Sequence, residues 1–400
     1  MISSRAIRCL TGSTSPSFKI APIFSNAKRS FKQPNVLKRP LYESPEMKRN
    51  KQVILDTFPK FRQILQTLPE YKEIPEVIDR IATAVEYASS NGKLWRSTSI
   101  LRNYEIAASP EDLTPEKYNN AALMAATVEI LHGVILQLDD IQDDADIRRG
   151  VKAFYALPGK TRNCVGELFA AESTRNLILA TAGKSHPSYQ TVRHLYNKHG
   201  LLTYMGQLYD TLFYDESTKK PVVEAFTMDI YEKLTMYKTT YYTISMPIEI
   251  GLALSNKYDE KKIKENYHIV TRLGLLFQMM NDFKDLFRNQ GEILKSEEMN
   301  VGMDIPTYRI TWFTIRTLER GTPAQKKEFW ENIGRSDPEK IMKIVSLYED
   351  LRLDELFLKE ENDILRYVQE EIPKIRNGIP HEMYYEIANK SFRADIRTLN

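Results

Sequence analysis

The sequence predicts an all-α protein, a bundle of long helices, and three observations carry that prediction. Glycine is scarce, 16 in 400 residues, and alternating runs of β-branched residues that would read as strands are few. Helix starts recur in one form, a capping or turn residue followed by proline and an acid: Ser44-Pro45-Glu46, Ser109-Pro110-Glu111, Thr114-Pro115-Glu116 and Asp337-Pro338-Glu339, with Thr322-Pro323 opening another. Proline suits the first helical position because an N–H there would go unpaired, and an acid in the first turn faces the positive end of the helix dipole. Between these starts apolar residues fall three and four apart, for example Val53, Ile54, Phe58, Phe61, Ile64 and Leu65, then Val77, Ile78, Ile81, Ala84 and Val85.

With 42% hydrophobic residues the chain can bury a large core. No Gly/Ser linker or short repeat interrupts it, so residues 43–400 read as one all-α domain. Residues 1–42 differ: Arg5, Arg8, Lys19, Lys28, Arg29, Lys32, Lys38 and Arg39 occur among serines, and the first acid is Glu43. A basic, acid-free start without an apolar core has the composition of a transit peptide, which points to the mitochondrion; a disordered basic leader on a cytoplasmic protein is the alternative. These basic residues outnumber the formal net charge of +3, so the remainder is acidic and the basic pI gives no reason to expect a nucleic-acid partner. Cys9 lies in the leader, leaving Cys164 alone, so neither a disulfide framework nor a cysteine metal site can be built. The longest apolar run, Ala121 to Leu138, contains Glu129, His132 and Gln137, and reads as a buried core helix rather than a membrane span.

The chemistry concentrates where that helix, expected over 115–146, ends. Asp139, Asp140, Asp143, Asp144 and Asp146 crowd together, and Arg148 and Arg149 follow. Aspartate is a poor helix former, and like charges three or four positions apart repel. On a helix Asp139 and Asp143 share a face, with Asp140 beside them. Oxygen-only ligands of this kind suit a hard divalent ion such as Mg²⁺, which shares its remaining positions with substrate phosphates. Taken alone, a solvated acidic helix end is the simpler reading. A second cluster, Phe277-Gln278-Met279-Met280-Asn281-Asp282-Phe283-Lys284-Asp285, ends another apolar run and puts Asn281 and Asp285 one turn apart. Two acid-tipped helices facing one cavity would clamp metal ions that bridge a diphosphate. Lys93, Arg96, Arg148, Arg149, Lys238 beside Thr239, and Arg309 are candidate phosphate anchors. His132 lies two turns before Asp139 on the same face, where a hydrogen-bonded core histidine is an equal reading; Val134 and Ile135 line the wall below the metal.

From about residue 46 to its end the chain resembles the farnesyl and geranyl diphosphate synthases, the trans-isoprenyl diphosphate synthases, and particularly their insect members. The resemblance rests on Asp139-Asp140-Ile141-Gln142-Asp143 with Arg148-Arg149-Gly150 after it, on Gly92-Lys93 with Arg96, on Gln207 with Asp210, on Lys238-Thr239 with Tyr242, and on Phe277-Gln278 before the second cluster. It implies an all-α prenyltransferase bundle of the class I terpene synthase kind around a deep apolar pocket, commonly a homodimer. It implies Mg²⁺, three ions in the family, with Mn²⁺ or Co²⁺ able to substitute, held by Asp139, Asp140, Asp143, Asn281, Asp282 and Asp285. These ions draw diphosphate from a prenyl diphosphate substrate while Arg148 and Lys238 neutralise it. In elongating members Lys93, Arg96, Arg149 and the position of His132 hold isopentenyl diphosphate; Gln207, Asp210, Thr239, Tyr242, Gln278 and Arg309 are further substrate-binding positions.

Several residues depart from the elongating pattern. His132 stands for a glutamine, Trp95 for a small polar residue, Asn281 for the first aspartate of the second motif, Asn300 for a lysine and Met303 for a threonine. Val134-Ile135 replaces the aromatic pair that floors a farnesyl diphosphate synthase pocket, and with Phe277 completes the expected lining; smaller side chains deepen it. The leading expectation is therefore a terpene synthase that ionises farnesyl or geranyl diphosphate to a sesquiterpene or monoterpene. Since Lys93, Arg96 and Arg149 persist, the alternative is chain elongation with isopentenyl diphosphate, alone or alongside terpene formation. A non-catalytic helical partner is the reading from another class, and the intact Asp139, Asp140 and Asp143 argue against it.

Overall fold

The proline-led starts act as helix starts in the structure. In the computed structural model, which describes residues 31–90, 92–143, 145–148, 151–215, 220–287 and 304–399, Ser44 Oγ accepts from Met47 N ahead of helix Pro45–Leu55, and Thr114 does the same for Pro115–Gln142. Thr322 forms a reciprocal capping box with Gln325 before Pro323–Asn332, and Asp337 caps Pro338–Asp350. Ser109-Pro110 opens only a 3₁₀ turn, Pro110–Asp112.

The buried helix Pro115–Gln142 is the axis of the N-terminal half, packed by Pro75–Ser89, Trp95–Ala107 and Val165–Gly183. It is the one described helix long and apolar enough to cross a membrane, and it is buried inside the protein. Gly133 lets Pro75–Ser89 press against it: a Cβ there would lie 2.1 Å from the Ala88 carbonyl oxygen. The core around it includes Ile130, Leu131, Leu179, Tyr196 and Met246. A second core, with Leu273, Leu276, Phe283, Phe313, Tyr348 and Phe357, surrounds Tyr267–Phe287. Between the two halves run Tyr189–Thr211 and the continuous stretch Met228–Thr235, Met236–Ser245 and Met246–Leu254.

Two features differ from expectation. The central helix stops at Gln142 rather than 146, and the chain turns into a hairpin pairing Ile147 with Lys152 and Arg148 with Val151. The turn brings Arg148 back onto the acids, which a longer helix would carry away from it. Residues 31–39, expected within an unfolded leader, pack onto the C-terminal half: Val36 is fully buried and Phe31 nearly so. Residues 31–39 are therefore part of the folded body.

Candidate active site

Acids in the last turn of a helix sit at the negative end of its dipole, so Asp139, Asp140 and Asp143 require cations nearby. Three elements deliver them. From the hairpin, Arg148 donates Nε to Asp140 Oδ1 at 2.6 Å and Nη2 to Asp139 Oδ2 at 3.2 Å. From the stretch Met236–Ser245, Lys238 donates Nζ to Asp210 Oδ2 at 2.7 Å and to Asp139 Oδ1 at 3.3 Å. Arg309 spans Asp210 and Asp143 with its two terminal nitrogens. Gln207 Nε2 completes the ring on Asp139 Oδ1 at 3.3 Å.

Local backbone explains each placement. Met236–Ser245 is π-helical, the wide turn often found at functional sites, and its Thr240 Oγ1 donates to Thr235 O at 3.0 Å. Gly206 lets the helix bearing Gln207 and Asp210 press on it, since a Cβ there would lie 2.4 Å from the Lys238 amide nitrogen. Arg309 is aimed by Tyr308, a non-glycine residue at φ 54° whose ring packs over Gly334.

The electrostatics follow from this ring. Burial opposes ionisation of Asp139, but Lys238, Arg309 and Arg148 outweigh it and hold its carboxyl well below the usual range. Asp210 is held low in the same way, its burial overcome by Lys238 and Arg309. Burial pushes Asp140 up to about 6 despite Arg148, and it raises Asp143 too. Lys238, though buried, is raised by Asp139 and Asp210 and stays charged.

The second cluster is built differently. Asp282 is 4% exposed, and its oxygens accept from Tyr231 OH at 2.7 Å, Trp312 N at 2.9 Å and Gln278 Nε2 at 2.9 Å. Asp282, expected as a metal ligand, is a buried, hydrogen-bonded acid that burial pushes up to about 7. Asn281 is exposed and Asp285 half-buried, accepting from Asp304 N at 3.0 Å. Two hydrogen-bonded chains join the clusters: Thr239 Oγ1 donates to Gln278 Oε1 at 2.7 Å, and Arg309 N donates to Asp304 O at 3.1 Å.

Of the expected isopentenyl side, Arg96 and His132 are brought together, with Tyr242 between them. Arg96 points inward, donating Nη2 to Thr243 Oγ1 at 2.6 Å with its guanidinium 4.0 Å over the Tyr242 ring, and Tyr242 OH lies 3.4 Å from His132 Nδ1. Lys93 is exposed on the preceding turn, where Leu94 holds φ 52°. Trp95 packs edge-on to Phe277 at 5.5 Å between ring centres. Val134 and Ile135 are each 3% exposed in the N-terminal core. Arg149, Asn300 and Met303 lie outside the described residues.

Asp139 and Asp143, half-buried carboxylates one turn apart, have the donor chemistry for a hard divalent cation. Asp282 is less accessible to one, being 4% exposed with its oxygens accepting from three neutral protein donors. Among the described residues no three His, Cys, Asp or Glu side chains stand close enough to form a metal site by themselves; Lys238 and Arg309 occupy the space between the acids. Sequence reasoning missed Tyr231, Thr243 and Tyr308. The first two are partners by long-range packing, and nothing in the sequence flags the turn at Tyr308.

The chain matches the polyprenyl synthetase family over residues 78–351. It is 32% identical to a geranyl diphosphate synthase of Ips pini, covering 98% of this chain and 95% of that one. It is 27% identical to the farnesyl pyrophosphate synthase of Rattus norvegicus, covering 83% and 94%. A farnesyl diphosphate synthase structure from T. brucei superposes with a TM-score of 0.76 at 23% identity over 86% of this chain and 99% of that one, which establishes the helical prenyltransferase fold. The relatives carry the names of chain-elongating synthases, which favours the alternative expectation over terpene formation. The chain belongs to the polyprenyl synthetase family.

Proposed function

We propose that this protein ionises an allylic prenyl diphosphate and condenses it with isopentenyl diphosphate, as a geranyl or farnesyl diphosphate synthase does. The observation that carries the reading is the ring of Arg148, Lys238 and Arg309 around an ionised Asp139. Fixed positive charge in a partly desolvated site stabilises charge developing on a leaving diphosphate more than charge already spread in the ground state. Mg²⁺, held by Asp139 and Asp143 with Asn281 and Asp285 opposite, would add to that field. Lys238 and Arg309, paired with these acids here, would be the donors offered to the phosphate oxygens.

One observation favours a second reading, release of a terpene hydrocarbon or alcohol. Trp95 packs against Phe277 and Arg96 turns one of its two terminal nitrogens to Thr243, a less open isopentenyl side for a second diphosphate. Purified protein with Mg²⁺ and either farnesyl diphosphate alone or geranyl plus isopentenyl diphosphate separates the two. Longer diphosphates from the second mixture support elongation; volatile products from the first and no longer diphosphate from the second would replace it with terpene synthesis.

We further propose a homodimer and an organellar location set by residues 1–30. Leu201, Met205 and Leu208 on Tyr189–Thr211, with Leu212 just beyond its end, form an exposed stripe opposite Gln207 and Asp210, and a face this apolar suits a second copy. Sedimentation of Leu208→Asp as a monomer, against a wild-type dimer, is the expected check; a monomeric wild type would remove this assignment.

A further inference from the structure

Residues 31–39 make contacts that a dispensable leader has no reason to make. Phe31 meets Phe283 and Phe313 at 6.4 Å between ring centres. Lys32 donates its amide to Asp354 Oδ2 and its ammonium to Glu355 Oε1, both at 2.8 Å. The amides of Asn35 and Val36 donate to the two oxygens of Glu361 at 3.0 and 2.7 Å. Arg39 donates to Phe392 O at 2.9 Å, and Arg393 returns a bond to Arg39 O at 3.2 Å. Glu361 is 2% exposed; burial pushes its carboxyl up, and the leading groups that oppose this, the amides of Val36 and Asn35 with Arg39 and Lys38, come from this one segment.

We propose that residues 31–39 are a strap belonging to the mature enzyme, so that removal of the leader ends before Phe31. The strap clamps Tyr267–Phe287, which carries the second acidic cluster, to Trp312–Arg320, Leu353–Glu371 and the end of His381–Phe392. A cut at residue 42, where the basic composition ends, would strip a buried glutamate of its partners and uncover Phe283 next to Asp282. Both are costly in an interior, where buried charge must be paired and apolar surface kept from water. Composition thus overestimates the leader by about a dozen residues. This inference does not depend on which reaction the enzyme catalyses.

Limited proteolysis of the full chain, with mass mapping of the resistant core, tests it. The expected core begins at or before Phe31. Val36→Asp in the full chain should move that boundary beyond residue 39, lower the melting temperature by at least about 3 °C, and speed hydrogen exchange over residues 282–286. Should Val36→Asp not fold, Phe31→Ala gives the same changes in smaller measure. A wild-type resistant core that starts after residue 42, or variants with an unchanged boundary and melting temperature, would overturn the strap.

Discussion

Two helix ends in this molecule look alike as text and differ in physics. Pro115–Gln142 and Tyr267–Phe287 are both apolar helices tipped with acids, where the helix dipole disfavours negative charge. At the first, cations from three separate elements converge, and Asp139 stays ionised with its oxygens toward a half-exposed site. At the second, Asp282 is enclosed by a tyrosine hydroxyl, a backbone amide and a glutamine, none of them charged, and burial favours its protonated form. Spacing fixes which face an acid shares; neighbours from distant segments decide whether it is a ligand or a structural group.

The sharpest way to break this contrast is Asp139→Ala. It removes the acceptor shared by Arg148, Lys238 and Gln207, and turnover should fall by roughly 10³-fold, the scale of losing a principal electrostatic group, while circular dichroism stays as in the wild type. Undiminished Mg²⁺-dependent turnover would remove the first cluster from the chemistry.

Arg309→Ala comes next. Arg309 is the only described group that bridges Asp143 and Asp210, and deleting one partner of a mostly buried ion cluster leaves uncompensated charge, at about 3–5 kcal/mol. Turnover should drop about 10²-fold with a lower melting temperature, and Arg309→Lys should recover part of both, since it restores charge but not the two-pronged contact. A variant with wild-type melting temperature and rate would show the bridge to be incidental.

What could be read in advance divides along the same line. Helix starts were legible because proline and capping chemistry are local, the aspartates, Lys238 and Arg309 because charge and spacing mark them out, and Gln207 only through the family resemblance. The π-helical stretch under Lys238 was not, since it depends on packing against Gly206 and on Thr240 turning back to Thr235. Nor was the inward turn of Arg96 onto Thr243 and Tyr242, a choice made by a helix 147 residues away. The docking of residues 31–39 was not legible either, because composition reports charge, whereas Phe31 and Val36 dock on partners far along the chain, among them Phe283, Phe313 and Glu361.

The smallest effect on rate, and the closest probe of the contrast, is expected from Asp282→Asn. An acid that is not a metal ligand can lose its charge cheaply, so turnover should stay within about 10-fold of wild type and the Mg²⁺ concentration for half-maximal rate should not move. Stability should respond to pH instead. The folded-state carboxyl of Asp282 is raised to about 7 by burial, whereas in the unfolded chain it titrates in the ordinary carboxylate range. The native form therefore holds a proton that the unfolded form has released, a stabilisation fully present below the unfolded pKa and lost as pH rises through about 7. Asparagine has no proton to lose, so the melting temperature of Asp282→Asn relative to wild type should climb between about pH 5 and pH 8, measured without metal. Asp304 and Asp285 are common to both proteins and drop out of that difference to first order. A flat difference, together with a raised Mg²⁺ requirement in the variant, would mean that Asp282 is ionised and ligating, and that the two helix ends are alike after all.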